Sequence, residues 1–219
     1  MVASGDAEEN IRWDEVELSY PVLSSTRLWQ GAVFGLREDT VQLPSWPEPV
    51  VRQYLDHGGA VGIVALRGGP GAEEVLLQMQ YRHPAASRLW EIPAGLLDVP
   101  GEDPLEAAKR ELREEADLEA GSWQILVDLF TSPGASSEQL RIFLATDLTH
   151  VDEPFPRGEE EATMVPRWAL LSSAVTAVLS GEIHSPSAVA GILAVQAHLA
   201  NKALQLRGPN ASWFGSNTR

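Results

Sequence analysis

Apolar residues in this chain follow two rhythms. Residues 60–66 read AVGIVAL, a continuous apolar run between turns, which predicts a strand buried on both faces. From Leu105 onward the spacing becomes helical: Leu105, Ala108, Leu112 and Ala116 fall on one stripe. The start of that helix is written chemically, with Asp103 as N-cap, Pro104 at the first helical position and Glu106 completing an Asp-x-x-Glu capping box.

The same reading extends along the chain. Residues 16–43 mix apolar and polar positions as successive short strands do, Ser45-Trp46-Pro47 is a break, and 50–57 reads as a short helix or turn ended by Gly58-Gly59. A Gly-Gly-Pro-Gly loop separates the buried strand from its expected hairpin partner at 75–81. Strands are expected at 123–130 and 140–145 around a turn-rich loop at 131–138. An acidic loop follows at 150–161, then a strand at 162–168 and helices at 169–179 and 187–204. Residues 1–12 read as disordered and 206–219 as a mobile tail. Strand-rich segments around one central helix and a helical C-terminal part predict a mixed α/β layer architecture.

Composition narrows the function classes. The chain has 219 residues, 44% apolar and 21% charged, ordinary for a soluble globular protein. It has no cysteine, which excludes disulfides, thiolate metal sites and a cysteine nucleophile. A net charge of −15 argues against a nucleic-acid backbone as partner. No apolar run approaches the roughly 20 residues of a membrane span, and the acidic N-terminus is unlike a signal peptide. A cytoplasmic protein is expected.

Candidate chemistry lies on the central helix. Glu111 and Glu115 are one turn apart with Glu114 beside them, on a face next to the apolar stripe. Like charges at this spacing oppose helix formation by about 0.2–0.5 kcal/mol per pair. A hard divalent cation, which takes oxygen ligands, is the simplest reason to crowd them, and an oxygen-only donor set points to Mg²⁺ or Mn²⁺.

The stretch from Gly95 to Leu118 resembles the Nudix box, G-x5-E-x7-R-E-U-x-E-E-x-G-U with U bulky and aliphatic. Glu102, Arg110, Glu111, Leu112, Glu114, Glu115 and Leu118 match at the pattern's spacing. Two departures stand out: six residues separate Gly95 from Glu102, and Asp117 replaces the second glycine. Asp tolerates the left-handed backbone expected there better than most residues. The run QYRHPAASRLWEIPAGLLDVPGE, and Pro133 sixteen residues after Asp117, resemble the ADP-ribose pyrophosphatase branch, its actinobacterial members above all.

That resemblance implies an α/β/α sandwich over residues 59–205 behind a small N-terminal antiparallel β-sheet domain over 1–58. It implies metal-dependent hydrolysis of ADP-ribose to AMP and ribose 5-phosphate in a homodimer with shared active sites. Other nucleoside diphosphate derivatives, such as a nucleotide sugar or a dinucleotide polyphosphate, remain alternatives, as does a sensor that binds without cleaving. Glu111 and Glu115 would ligate metal, with Glu114 a ligand directly or through water and Ala94 contributing its carbonyl. Gly95, Glu102 and Arg110 would be structural, Arg110 pairing with Glu102 or Glu114. A general base would come from Glu159, Glu160 or Glu161, with Glu161 favoured and Glu160 next. Arg82, Glu91 and Pro133 would line the substrate site, Arg52 would reach it from the other subunit, and Trp29 or Phe34 could stack on adenine. His57 and His83 read as structural.

Overall fold

The computed structural model describes residues 19–152, 155, 164–201 and 203–213. Two sheets are present among them. The first is an antiparallel meander of β1 (Val22–Gln30), β2 (Phe34–Val41) and β3 (Val50–His57), in spatial order β1-β2-β3. The second is a mixed sheet of order β10-β5-β4-β9-β8, built from β4 (Ala60–Arg67), β5 (Glu74–Arg82), β8 (Leu118–Phe130), β9 (Gln139–His150) and β10 (Pro166–Leu170). β6 (Ser87–Glu91) pairs with β5, and the short β7 (Ala94–Leu96) pairs with β4. Only β4 and β9 run parallel; the other pairings are antiparallel.

The buried strand at the centre is β4. Its side chains alternate between two cores, as the two-residue period of a strand requires. Val61, Ile63 and Ala65 pack with Leu105, Ala108, Leu112 and Ala116 of α1 (Pro104–Ala116). Ala60, Val64 and Leu66 pack with α2 (Leu171–Leu179) and α3 (Pro186–Ala200) on the other face. At Gly191 of α3 a Cβ would come within 2.7 Å of Val64 Cγ2, so the missing side chain lets that helix sit directly on the sheet. The result is an α/β/α sandwich. None of the described helices is long and apolar enough to cross a membrane.

Three expectations change. Residues 50–57 form a strand, not a helix or turn: β3 pairs with β2 in full register from Phe34↔His57 to Val41↔Val50. Its outer edge is joined to the 131–138 loop, with Leu55 N–H donating to Ala135 O and Ser137 N–H to Leu55 O, both at 2.9 Å. The prolines before it and the glycines after it mimic helix punctuation, and what decides for a strand lies in distant partners.

The capping box is half formed. Asp103 Oδ1 accepts from Leu105 N–H at 2.8 Å, but Glu106 reaches Lys109 at 2.7 Å.

The chain end, expected to be mobile from 206, is bound down through residue 213. Arg207 bridges to Ile125 on the edge of β8. Arg141, only 3% exposed, donates to the carbonyls of Ala211 and Ser212 and lies 4.9 Å from the ring centre of Trp213. Both Arg141 and Arg207 pair with Asp128, at 2.8 Å each.

Candidate active site

α1 presents two of its carboxylates inward. Glu111 and Glu115 are only 8% and 4% exposed. β7 meets them, because its pairing with β4 (Val61↔Gly95, Gly62↔Ala94) brings the start of the box loop under the helix. Ala94 N–H donates to Glu115 Oε2 at 2.9 Å. Gly95 is required for space: an added Cβ would stand 2.0 Å from both Cδ and Oε1 of Glu111.

Arg110 holds the loop to the helix. Its Nε and Nη2 donate to the two oxygens of Glu102 at 3.1 Å each, while Nη1 donates to Glu111 at 2.6 Å and Glu114 at 3.3 Å. The bonds to Glu102 above all, with the negative field of Glu111, raise the guanidinium pKa, so Arg110 is a fixed cation. The helix ends at Asp117, in the left-handed conformation at φ 53°. Its Oδ1 accepts from Phe155 N–H at 2.9 Å, and its carbonyl from Val151 N–H at 3.0 Å.

Other expected residues join the same side of the sheet. Residues directly opposite in an antiparallel pair share a face, and Gln78↔Glu91 and Arg82↔Ser87 are opposite in β5 and β6. Glu91, 4% exposed, accepts a bidentate pair from Arg82 at 2.9 and 2.7 Å. These two were expected as separate substrate contacts; the structure joins them.

Arg52 and Pro133 line one cavity of about 420 Å³ within a single chain, with Tyr54 and Phe130. Pro133 also borders a larger cavity of about 600 Å³ walled by Arg207 and Trp213. Trp29 and Phe34 form an exposed pair on the N-terminal sheet, ring centres 5.8 Å apart and tilted 54°. His57 accepts from Gly59 N–H at 3.0 Å, and His83 shares a 3.1 Å hydrogen bond with the Tyr81 hydroxyl. Glu159, Glu160 and Glu161 lie outside the described residues.

Gln78 was missed by sequence reasoning. It is 1% exposed, and its Nε2 donates to Glu115 Oε2 at 2.8 Å. The available signal was parity: Leu76 faces α1 while Val75 and Leu77 face the opposite core, so an inward polar residue two places after Leu76 had to meet α1.

Among the described residues no three acidic or histidine side chains converge as a ready metal cage. Glu111 and Glu114 are instead gathered on Arg110. The donor chemistry nonetheless suits a hard divalent cation. Two buried carboxylates lie beside the Ala94 peptide, and Gln78 Oε1 is a buried oxygen with no hydrogen-bond donor among the described residues. A hard cation completes such a set with water and substrate oxygens.

Residues 56–184 match the family described as NUDIX domain. The ADP-ribose pyrophosphatase of Mycobacterium tuberculosis is 47% identical over 181 residues, 83% of this chain and 85% of that protein. The methanol dehydrogenase activator of Bacillus methanolicus is 32% identical over 139 residues, 64% of this chain and 72% of that protein. A crystal structure of an ADP compounds hydrolase superposes with a TM-score of 0.67 at 21% identity, covering 86% of this chain and 98% of its own, a likeness of fold.

Proposed function

The chain belongs to the Nudix family and is a Nudix hydrolase, and we propose that its substrate is ADP-ribose, cleaved at the pyrophosphate to AMP and ribose 5-phosphate. The observation that carries this choice is the 47% identity to an ADP-ribose pyrophosphatase along 85% of that protein's length. The pairing of Glu102 with Arg110 and the buried Glu111 and Glu115 beside Ala94 support a catalytic reading over a sensor that has lost its carboxylates.

Glu111, Glu115 and the Ala94 carbonyl, with Glu114, would hold the divalent cation, which we take to be Mg²⁺ or Mn²⁺. When bound, such a cation neutralises pyrophosphate charge and acidifies water. The remaining work belongs to the chain. Arg110 keeps the box loop against α1 through Glu102. Arg82 contacts a phosphate, its guanidinium oriented by Glu91. Glu161, or Glu160 next to it, takes the proton from the attacking water; this role rests on the resemblance of the acidic loop.

We also take the active form to be a homodimer. β1 is exposed along its whole length, and Trp29, Phe34, Val51 and Leu55 leave apolar surface open on a sheet of only three strands. Sheets of that size need a covering layer. Arg52 of one chain would then complete the partner's pocket.

The deciding experiment is a panel of ADP-ribose, nucleotide sugars and dinucleotide polyphosphates with Mg²⁺ or Mn²⁺, followed by product identification. AMP and ribose 5-phosphate from ADP-ribose as the preferred reaction is expected. Preference for another member of the panel would replace the substrate assignment, and binding without turnover would favour the sensor. Full activity in excess chelator would remove the cation. Mixing an Arg52→Ala chain with a Glu115→Gln chain should restore partial activity if sites are shared; mixtures that never complement would argue against sharing.

A further inference from the structure

Glu115 Oε2 accepts from two neutral donors, Gln78 Nε2 at 2.8 Å and Ala94 N–H at 2.9 Å, which fix the carboxylate in place. The orientation of the Gln78 amide follows from the same contact. A carboxylate only accepts, so the amide must turn its NH₂ to Glu115. That leaves Oε1 buried and without a donor among the described residues.

A buried acceptor of this kind calls for an explanation, either an ordered water or a function. Water held by a divalent cation is a strong hydrogen-bond donor, and the cation reading puts such water beside Glu115. We propose that Gln78 is a positioning residue of the metal centre: its NH₂ orients Glu115, and its Oε1 accepts a hydrogen bond from water in the shell of the bound cation. This rests on the divalent-cation reading above. It assigns to a strand residue outside the box the role that outer-shell partners play in metal sites, where their loss typically costs 10–100-fold in affinity.

The test measures Mn²⁺ binding directly, by the electron paramagnetic resonance signal of the free ion, in full-length wild type, Gln78→Met, Gln78→Asn and Glu115→Gln. Melting of each metal-free protein is followed alongside. Wild type should bind Mn²⁺, and Glu115→Gln should bind it far more weakly. Gln78→Met should lose about tenfold or more in affinity. Its metal-free melting temperature should fall by only a few degrees, because the lost bond to Glu115 is partly offset by removal of an acceptor without a donor.

Gln78→Asn keeps the amide but shortens its reach, so it cannot hold both contacts and should also lose about tenfold or more in Mn²⁺ affinity. If Gln78→Met does not fold, Gln78→Asn decides alone: wild-type affinity in the folded variant would overturn the proposal. Wild-type Mn²⁺ affinity in Gln78→Met, with Glu115→Gln impaired, overturns the role of Gln78 only. Failure of wild type to bind Mn²⁺, or normal binding by Glu115→Gln, overturns the cation reading itself.

Discussion

Gly95→Ala separates stability from chemistry at one atom. The added Cβ would lie 2.0 Å from Cδ and Oε1 of Glu111 and 2.5 Å from Cγ. Carbon contacts are comfortable at about 3.5–4.0 Å, so the carboxylate must retreat by more than about 1 Å. It is the end of a flexible side chain, and the retreat is cheap in folding terms. A displaced rotamer costs about 0.5–1.5 kcal/mol. Loss of the 2.6 Å bond from Arg110 adds about 1.5 kcal/mol, the low end for a charged hydrogen bond, because Arg110 keeps Glu102 and Glu114. The sum is about 2–3 kcal/mol, a fall of roughly 4–12 °C in melting temperature for a chain of this size. Misplacing a catalytic contact by about 1 Å costs on the order of a hundredfold in rate. Urea unfolding and steady-state turnover of ADP-ribose, read as AMP released, should therefore report a folded protein with kcat down about a hundredfold. Gly69→Ala, whose Cβ would meet nothing within 4 Å, should change neither. Wild-type kcat in Gly95→Ala would refute the placement of Glu111 against this glycine. A stability loss beyond about 5 kcal/mol would mean that backbone, not carboxylate, gave way.

Glu115→Gln keeps the shape but removes the charge; kcat should fall on the order of a hundredfold or more, while the metal-free melting curve stays level or rises as repulsion with Glu111 is relieved, and full turnover would reduce Glu115 to a structural carboxylate. Asp128→Ala leaves Arg141, which is 3% exposed, with only the carbonyls of Ala211 and Ser212 as acceptors among the described residues, and should cost about 3–5 kcal/mol in urea unfolding; an unchanged midpoint would refute a stabilising role for the Asp128–Arg141 pair. Tyr54 has its phenol pushed up to about 12 by burial first and then by the hydrogen bond it donates to Asp39. A folded-state pKa above the unfolded value stabilises the fold below about pH 10 and loses that contribution as pH rises toward 12. Spectrophotometric titration should show a late phenol phase, and Tyr54→Phe should remove it; its persistence would refute the assignment.

Features fixed by neighbours in the chain were legible, and those fixed by distant partners were not. The buried strand at 60–66 and the start of α1 at Asp103-Pro104 are local, and the structure has them where composition and spacing put them. β3 was misread because its strand character comes from β2 and from Ala135 and Ser137, some 80 residues on. The box carboxylates announce themselves by spacing, whereas Gln78 gains meaning only through Glu115, 37 residues away. Arg82 and Glu91 were both picked out, but their mutual pairing needed the β5–β6 register. Asp117 shows how a local departure can be balanced at a distance. At φ 53° a side chain is strained where glycine would not be, and read along the chain the substitution is a cost. In space the same carboxylate takes the Phe155 N–H while its carbonyl takes that of Val151, so the end of the box helix is tied to the exit of β9. A glycine could make only the second of these contacts. The residue that weakens the match to the box therefore adds a tether at the root of the acidic loop, and the strain is offset by a bond that only a side chain can supply.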